Sequence, residues 1–180
     1  MAEIAQRRPR PRDHLLALAL AAGGGALGIL AAGFEEVRSG GFILLPFVVA
    51  PMAEEALKPI GVYFLLYRWP HILRGRLYTA TLTALAGLSF GAIESLIYVT
   101  VYNPDASREF FVYRFSVTLV LHMVASFIVG LGISPRLLAW ANRGGSFPRD
   151  ARYAYAIAIA LHSAYNITAV TLSLTGVLDF

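Results

Sequence analysis

Five long, nearly uninterrupted apolar stretches constrain the fold more than any other feature of the sequence. They run roughly over 15–34, 42–67, 77–101, 111–133 and 153–177. Each reaches the length of about 20 mostly apolar residues that a helix needs to cross a bilayer. Of all residues, 57% are hydrophobic and only 14% are charged, whereas a soluble domain carries about 25% charged residues. We predict one all-α domain over 1–180, an integral membrane bundle of about five transmembrane helices.

Composition excludes several other classes of protein. The apolar runs are continuous and rich in Ala, Leu and Gly, unlike the alternating strands of about ten residues in a membrane barrel. The chain has no cysteine, which excludes disulfides, thiolate zinc sites and a cysteine nucleophile. Its net charge of +4 fits cytoplasmic arginines of a membrane protein. We therefore expect the lipid bilayer, and no nucleic acid, as a partner.

The arginines are distributed unevenly between the two sides of the predicted bundle. One side has four in the N-terminal tail, three in the second loop and four in the longest connection, about 134–152, which we predict to be a polar loop. The other side has Arg38, Arg108 and Arg114. Cytoplasmic loops are enriched in arginine. We expect a multi-pass protein of the plasma or inner membrane with a cytoplasmic N-terminus and an outside C-terminus.

The first apolar stretch follows a basic segment, as a signal peptide would. Its apolar run is longer than the usual 7–15 residues or so. We therefore expect it to remain as an uncleaved span.

Charged and polar residues interrupt four of the five stretches. They are Glu54, Glu55 and Lys58 in the second, Glu94 in the third, His122 in the fourth, and His162 with Asn166 in the fifth. An ionised residue at the bilayer centre costs about 2.5–3.5 kcal/mol on insertion scales. These groups must therefore meet, and we predict one polar site inside the bundle.

Helical spacing allows this convergence. Glu54 and Lys58 share a helix face, as do His162 and Asn166, because positions i and i+4 lie one above the other. In the fourth stretch Arg114, Thr118 and His122 recur at every fourth residue. Three glutamates and one lysine sum to −2, which a divalent cation, protonated glutamates or histidinium would balance.

Two prolines flank the acidic pair. Pro51 precedes it and Pro59 follows. Pro59 cannot donate a hydrogen bond to the carbonyl of Glu55, and its ring pushes that carbonyl aside. We predict that the second span is kinked or broken beside the site.

The motifs resemble those of one family. Residues 54–58, EEALK, resemble the EExxK motif of the PrsW family of intramembrane proteases, and residues 90–94, FGAIE, resemble its FxxxE motif. His122 and the HxxxN pair His162 and Asn166 follow in the expected order. The family is similar to CAAX prenyl proteases and bacteriocin-immunity-type membrane proteases. The resemblance implies a peptidase that cuts a membrane-anchored protein, for example an anti-sigma-factor-like protein, or a lipid-linked peptide.

Peptide hydrolysis assigns each polar residue a role. A water must lose a proton, the oxyanion must be stabilised and the leaving amine must be protonated. Glu54 or Glu55 is the predicted general base, and Lys58 supports it by pairing with Glu54. Glu94 and His122 position the water or a metal, while His162 and Asn166 donate to the oxyanion.

A metal would be divalent, with zinc the first choice because imidazole and carboxylate suit it. Its expected ligands are Glu94, His122 and His162, although no helix supplies two histidines at HExxH spacing.

Two other functions fit intramembrane polar residues. A proton- or ion-coupled transporter also uses buried Glu, His and Lys and broken helices, but no inverted repeat is apparent. A non-catalytic scaffold that binds partner helices would keep the fold without the chemistry, whereas every motif residue is present here.

The topology is testable with single cysteines, because the chain has none of its own. A cysteine introduced near Asn103 should react with a membrane-impermeant thiol reagent in intact cells, since that loop is expected outside. A cysteine near Gly144 should react only after permeabilisation. The opposite labelling pattern would invert the predicted orientation.

Overall fold

The computed structural model describes residues 9–38 and 45–176, and this part of the chain is helical with no strand. Residues 42–44 of the second predicted span and residue 177 of the fifth lie outside the described residues. The helices are α1 (Pro11–Arg38), α2 (Ala50–Leu57), α3 (Ile60–Arg68), α4 (Arg76–Ile97), α5 (Arg108–Tyr113), α6 (Leu119–Gly132), α7 (Pro135–Arg143) and α8 (Arg149–Leu174). Single π-helical turns cover Leu45–Val49, Tyr98–Tyr102 and Arg114–Thr118, and a 3-10 turn covers Pro70–Ile72.

Four continuous helical segments of the described chain are long and apolar enough to span a membrane. They are Pro11–Leu30, Arg76–Tyr102, Arg108–Gly132 and Arg149–Leu174. The predicted all-α membrane bundle is thereby confirmed. The second predicted span supplies no single helix of that length, because it is divided into α2 and α3.

The division falls at Lys58 and Pro59, as the proline predicted. α2 ends where the Lys58 backbone N–H donates to the Glu54 carbonyl at 2.9 Å. α3 begins again with Val62 N–H donating to the Pro59 carbonyl at 2.8 Å. The break therefore directly follows the acidic pair and ends α2 at the polar site.

The prediction of a polar loop over 134–152 is wrong for Pro135–Arg143, which form α7, and for residues 149–152, which begin α8. Pro135 starts the helix, and Gly144 ends it with a φ of +72°, a conformation that favours glycine. Leu137 and Leu138 pack against the apolar core. The segment is polar on average, so hydropathy alone predicts a loop. Its apolar residues come together on one face only when the segment is helical.

α4 lies between α1 and α6, and α6 in turn packs against α8. Glycines let these backbones approach closely. A Cβ on Gly87 would collide with the His122 carbonyl and come within 2.6 Å of the Ser126 hydroxyl. Gly91 clears space for the His122 ring, since a Cβ there would lie 2.7 Å from its Cδ2. The small residues of α4 thus set the distance at which α6 presents His122.

Gly87→Ala should destabilise the protein although alanine favours helix formation. Overpacking typically costs about 1–3 kcal/mol, more than the roughly 1 kcal/mol gained in helix propensity. The thermal unfolding midpoint in detergent should fall. Gly23→Ala is the matched control, because a Cβ there meets nothing within 4 Å, and its midpoint should hold or rise. Equal midpoints for the two variants would contradict the close α4–α6 contact.

Candidate active site

The ammonium group of Lys58 lies at the centre of the polar cluster. Its Nζ is 2.7 Å from Glu55 Oε1, 3.2 Å from Glu54 Oε2 and 2.8 Å from His122 Nδ1. The Lys58 side chain is fully buried. The sequence predicted its pairing with Glu54, but its shorter contacts are with Glu55 and His122. The lysine therefore joins α2 to α6 as well as balancing the acidic pair.

His162 is oriented by Glu55. Its Nδ1 lies 2.8 Å from Glu55 Oε1, and both side chains are buried. Its Nε2 lies 3.8 Å from Glu54 Oε2, beyond hydrogen-bond distance. An ionised carboxylate only accepts hydrogen bonds, so Glu55 holds the proton of His162 on Nδ1. The lone pair of Nε2 is then directed toward Glu54.

His122 is bonded at both ring nitrogens. Its Nε2 lies 2.9 Å from Glu94 Oε2, and Lys58 contacts its Nδ1. The ring packs against Phe90, with centroids 5.3 Å apart, and edge-on to His162, with centroids 5.1 Å apart. The phenylalanine and glutamate of the FGAIE segment therefore act on one target, the His122 imidazole.

Arg114 belongs to the site, although its position near the end of an apolar stretch predicts that it lies on the outer side of the membrane. Its Nη2 donates to Glu94 Oε2 at 2.7 Å, and its side chain is 9% exposed. The three glutamates, Lys58 and Arg114 carry a formal charge of −1 rather than the expected −2. The four-residue spacing from Arg114 through Thr118 to His122 was the sequence signal that could have identified it.

Asn166 contacts a different partner from the one expected. Its Nδ2 donates to the Pro46 carbonyl at 2.7 Å, which ties α8 to the π-helical turn before α2. The side chain also lines the cavity described next. Asn166 therefore lies at the site, and its side chain anchors α8 to the turn at Pro46.

A cavity of about 440 Å³ opens onto the cluster. Among the predicted site residues, its walls include Glu54, Glu94, His122, His162 and Asn166. Glu55 and Lys58 do not line it, and both have an exposed fraction of 0%. The cavity is bordered further along by Ile97, Val170 and Leu174. The cavity therefore combines the polar site residues with apolar side chains, as a site for a membrane-embedded peptide requires.

Three cavity-lining side chains form a group that can hold a metal ion. Glu54, His122 and His162 each offer one ligand atom within 4.8 Å of the others, and all three residues are buried. Glu54 Oε2 is buried and lies 3.2 Å from the Lys58 ammonium as an ion pair, but it accepts no hydrogen bond among the described residues. Two imidazoles and one carboxylate are a donor set that divalent zinc accepts. The donor set therefore fits the ion, which at His122 would have to replace the Lys58 ammonium at Nδ1, because Nε2 is bonded to Glu94.

The expected ligand Glu94 is not part of this group. Its Oε2 already accepts hydrogen bonds from Arg114 and His122. The geometry brings Glu54 to the two histidines in its place.

Comparison with known families agrees with this geometry. A family model described as PrsW family intramembrane metalloprotease matches residues 10–179. The chain belongs to the PrsW family of intramembrane metalloproteases. No curated protein and no solved structure matches the chain. As a PrsW-family member with four helices able to span a bilayer, the chain is a multi-pass membrane peptidase.

The motif residues of this PrsW-family chain converge although they come from four helices. α2 supplies Glu54 and Glu55 and is followed directly by Lys58, α4 supplies Glu94, α6 supplies His122, and α8 supplies His162 and Asn166. Sequence reasoning also missed Tyr165, which lines the cavity and whose hydroxyl bonds that of Thr118. Tyr165 directly precedes Asn166, but an aromatic residue in an apolar helix carried no signal of its own.

Proposed function

We propose that the protein hydrolyses a peptide bond of a membrane-anchored protein with a water molecule held in the cavity between Glu54 and the two histidines. The observation that carries this proposal is the joint geometry of the three side chains. Glu54, His122 and His162 lie within reach of one another in the cavity wall, and a separate carboxylate orients each imidazole, Glu94 for His122 and Glu55 for His162.

Glu54 is the general base of the acidic pair. It lines the cavity, whereas Glu55 is fully buried and bonded to Lys58 and His162. Glu54 accepts a proton from the attacking water and passes it to the leaving amine. Glu55 keeps His162 in one orientation, and Lys58 holds both carboxylates on the α2 face.

Glu54, His122 and His162 are also the residues that would hold a divalent ion, for which zinc is the best match in donor chemistry. A carboxylate that holds the ion is not free to act as the base, so these two roles of Glu54 are alternatives. When bound, such an ion supplies a Lewis acid that polarises the peptide carbonyl and lowers the pKa of water. Glu55 and Glu94 then act as the outer carboxylates that fix histidine ligands and raise their basicity.

Asn166 is suited to the oxyanion. A carboxamide has two N–H donors, and the Nδ2 contact with the Pro46 carbonyl uses one of them. The second N–H can donate to the oxygen that becomes negative during attack. The Pro46 contact limits the rotation of the amide, so this donor is oriented before the substrate arrives.

The substrate class follows from the cavity and the family. A cavity that combines apolar lining with the polar site residues suits a peptide that enters from the bilayer. We propose a single-span membrane protein, an anti-sigma-factor-like protein being one candidate. With the N-terminus cytoplasmic, α8 ends outside, so the cavity rim near Ser173 and Leu174 faces the outer side and cleavage occurs in the outer half of the membrane.

Glu54→Gln should lower the rate of cleavage of a single-span substrate in reconstituted vesicles by about 10²–10⁴-fold, because the amide keeps the volume but cannot accept the proton. Glu55→Gln should lower it less, by about 10–100-fold, since it acts through His162. Glu109→Gln, at an exposed position on α5, is the control and should retain full activity. Normal turnover by the Glu54 variant would remove the centre of the proposal.

Metal binding gives a separate prediction. The purified protein should bind about one equivalent of Zn²⁺ by elemental analysis, and a chelator should lower both cleavage and the unfolding temperature, because metal binding contributes to folding. His122→Ala and His162→Ala should lose the ion, whereas His71→Ala, in the 3-10 turn away from the cavity, should keep it. Active protein without stoichiometric metal, unaffected by chelators, would exclude the metal but leave the role of Glu54 open to its own test.

A further inference from the structure

Arg114 is held in place at three points. Its Nη2 donates to Glu94 Oε2 at 2.7 Å. Its guanidinium lies over the Tyr98 ring, 4.0 Å from the centroid. The Ser95 hydroxyl donates to its backbone carbonyl at 3.0 Å, and Ser95 is fully buried. Side chain and backbone of this one residue are thus fixed to the same end of α4.

The backbone at Arg114 is also unusual, because the residue opens the π-helical turn Arg114–Thr118 between α5 and α6. Such turns occur frequently at functional sites. The turn is followed directly by the α6 segment that carries His122. Arg114 and His122 therefore lie on one helical segment and meet at one atom, Glu94 Oε2.

That shared atom determines the state of His122. Glu94 beside a permanently charged guanidinium is a carboxylate that only accepts hydrogen bonds, so its 2.9 Å contact with His122 Nε2 requires a proton on Nε2. The lone pair then lies on Nδ1, where the Lys58 ammonium donates at 2.8 Å. A proton on Nδ1 instead would place two donors against each other.

We propose that Arg114 is a positioning residue that, through Glu94, holds His122 in the Nε2–H tautomer and so keeps its Nδ1 lone pair as the acceptor that faces the Lys58 ammonium. The proposal rests on the proposed function for the use of that lone pair. The tautomer itself is a property of the protein without substrate and can be measured independently of activity. Arg114 acts without touching the reacting atoms, as Glu55 does for His162.

The tautomer can be read directly by ¹⁵N NMR of the purified, histidine-labelled protein in detergent at neutral pH, with the His122 signal assigned by its loss in His122→Asn. The wild type should show protonated Nε2 and unprotonated Nδ1. In Arg114→Met the carboxylate loses its anchor and no longer fixes the proton on Nε2, so the Nδ1–H form should appear as a second population, in which the Lys58 ammonium has left Nδ1. Arg114→Lys should restore the wild-type spectrum in large part, because it keeps a charged donor for Glu94.

A second readout is the affinity for Zn²⁺ in a competition titration with a chromogenic chelator. Loss of an outer partner of a ligating histidine typically weakens metal binding by about 10–100-fold. We expect that loss in Arg114→Met, a smaller one in Arg114→Lys and none in Arg108→Gln, which changes an exposed arginine at the start of α5. If Arg114→Met does not fold, Glu94→Gln tests the same link from the other side and should also allow the Nδ1–H form.

An unchanged His122 tautomer in both Arg114→Met and Glu94→Gln would overturn the proposal, whatever the activity of these variants. The same holds if the Nδ1–H form already dominates in the wild type. Failure of the proposed function is recognised separately, by full activity of Glu54→Gln, whereas a wild type that binds no Zn²⁺ would exclude only the metal. The NMR comparison stays decisive for Arg114 in either case.

Discussion

The buried ammonium of Lys58 is the interaction on which the rest of the site depends. Removing a charged group from water costs several kcal/mol after relaxation, and the protein compensates this cost with contacts from Glu54, Glu55 and His122 at 3.2 Å or less. These contacts require α2 and α6 to meet at one depth. The helix break at Pro59 places the lysine at the end of α2, from which its amine reaches across to α6.

The same chemical unit occurs twice around the cavity floor. Lys58 contacts Glu55, which orients His162 through Nδ1. Arg114 contacts Glu94, which orients His122 through Nε2. In each unit a buried cation neutralises a carboxylate, and the carboxylate fixes an imidazole. Glu54 is the acidic residue left to face both histidines, which explains why one glutamate of the adjacent pair lines the cavity while the other is fully buried.

Packing of small residues makes these units possible. Gly87 allows the α6 backbone to approach α4 at His122, and Gly91 gives the imidazole room. Phe90 packs against one side of the His122 ring. The Lys58 ammonium also lies over the Phe90 ring, 4.6 Å from the centroid of that ring. The FGAIE segment thus contributes a wall, a gap and a hydrogen-bond acceptor to a single histidine.

The sequence alone determined the helical membrane bundle, the convergence of Glu54, Glu55, Lys58, Glu94, His122, His162 and Asn166, and the break at Pro59. Each follows from local properties: hydropathy, the cost of charge in lipid, and a missing backbone donor. Tertiary structure decided that α7 is a helix, that Arg114 turns inward, and that Glu54 rather than Glu94 joins the two histidines. An arginine at the end of a span can extend to the interface or pair inside, and a carboxylate can bind a metal or stand behind a ligand. The choice depends on the rotation and separation of neighbouring helices, and these are fixed by side-chain packing between segments far apart in sequence.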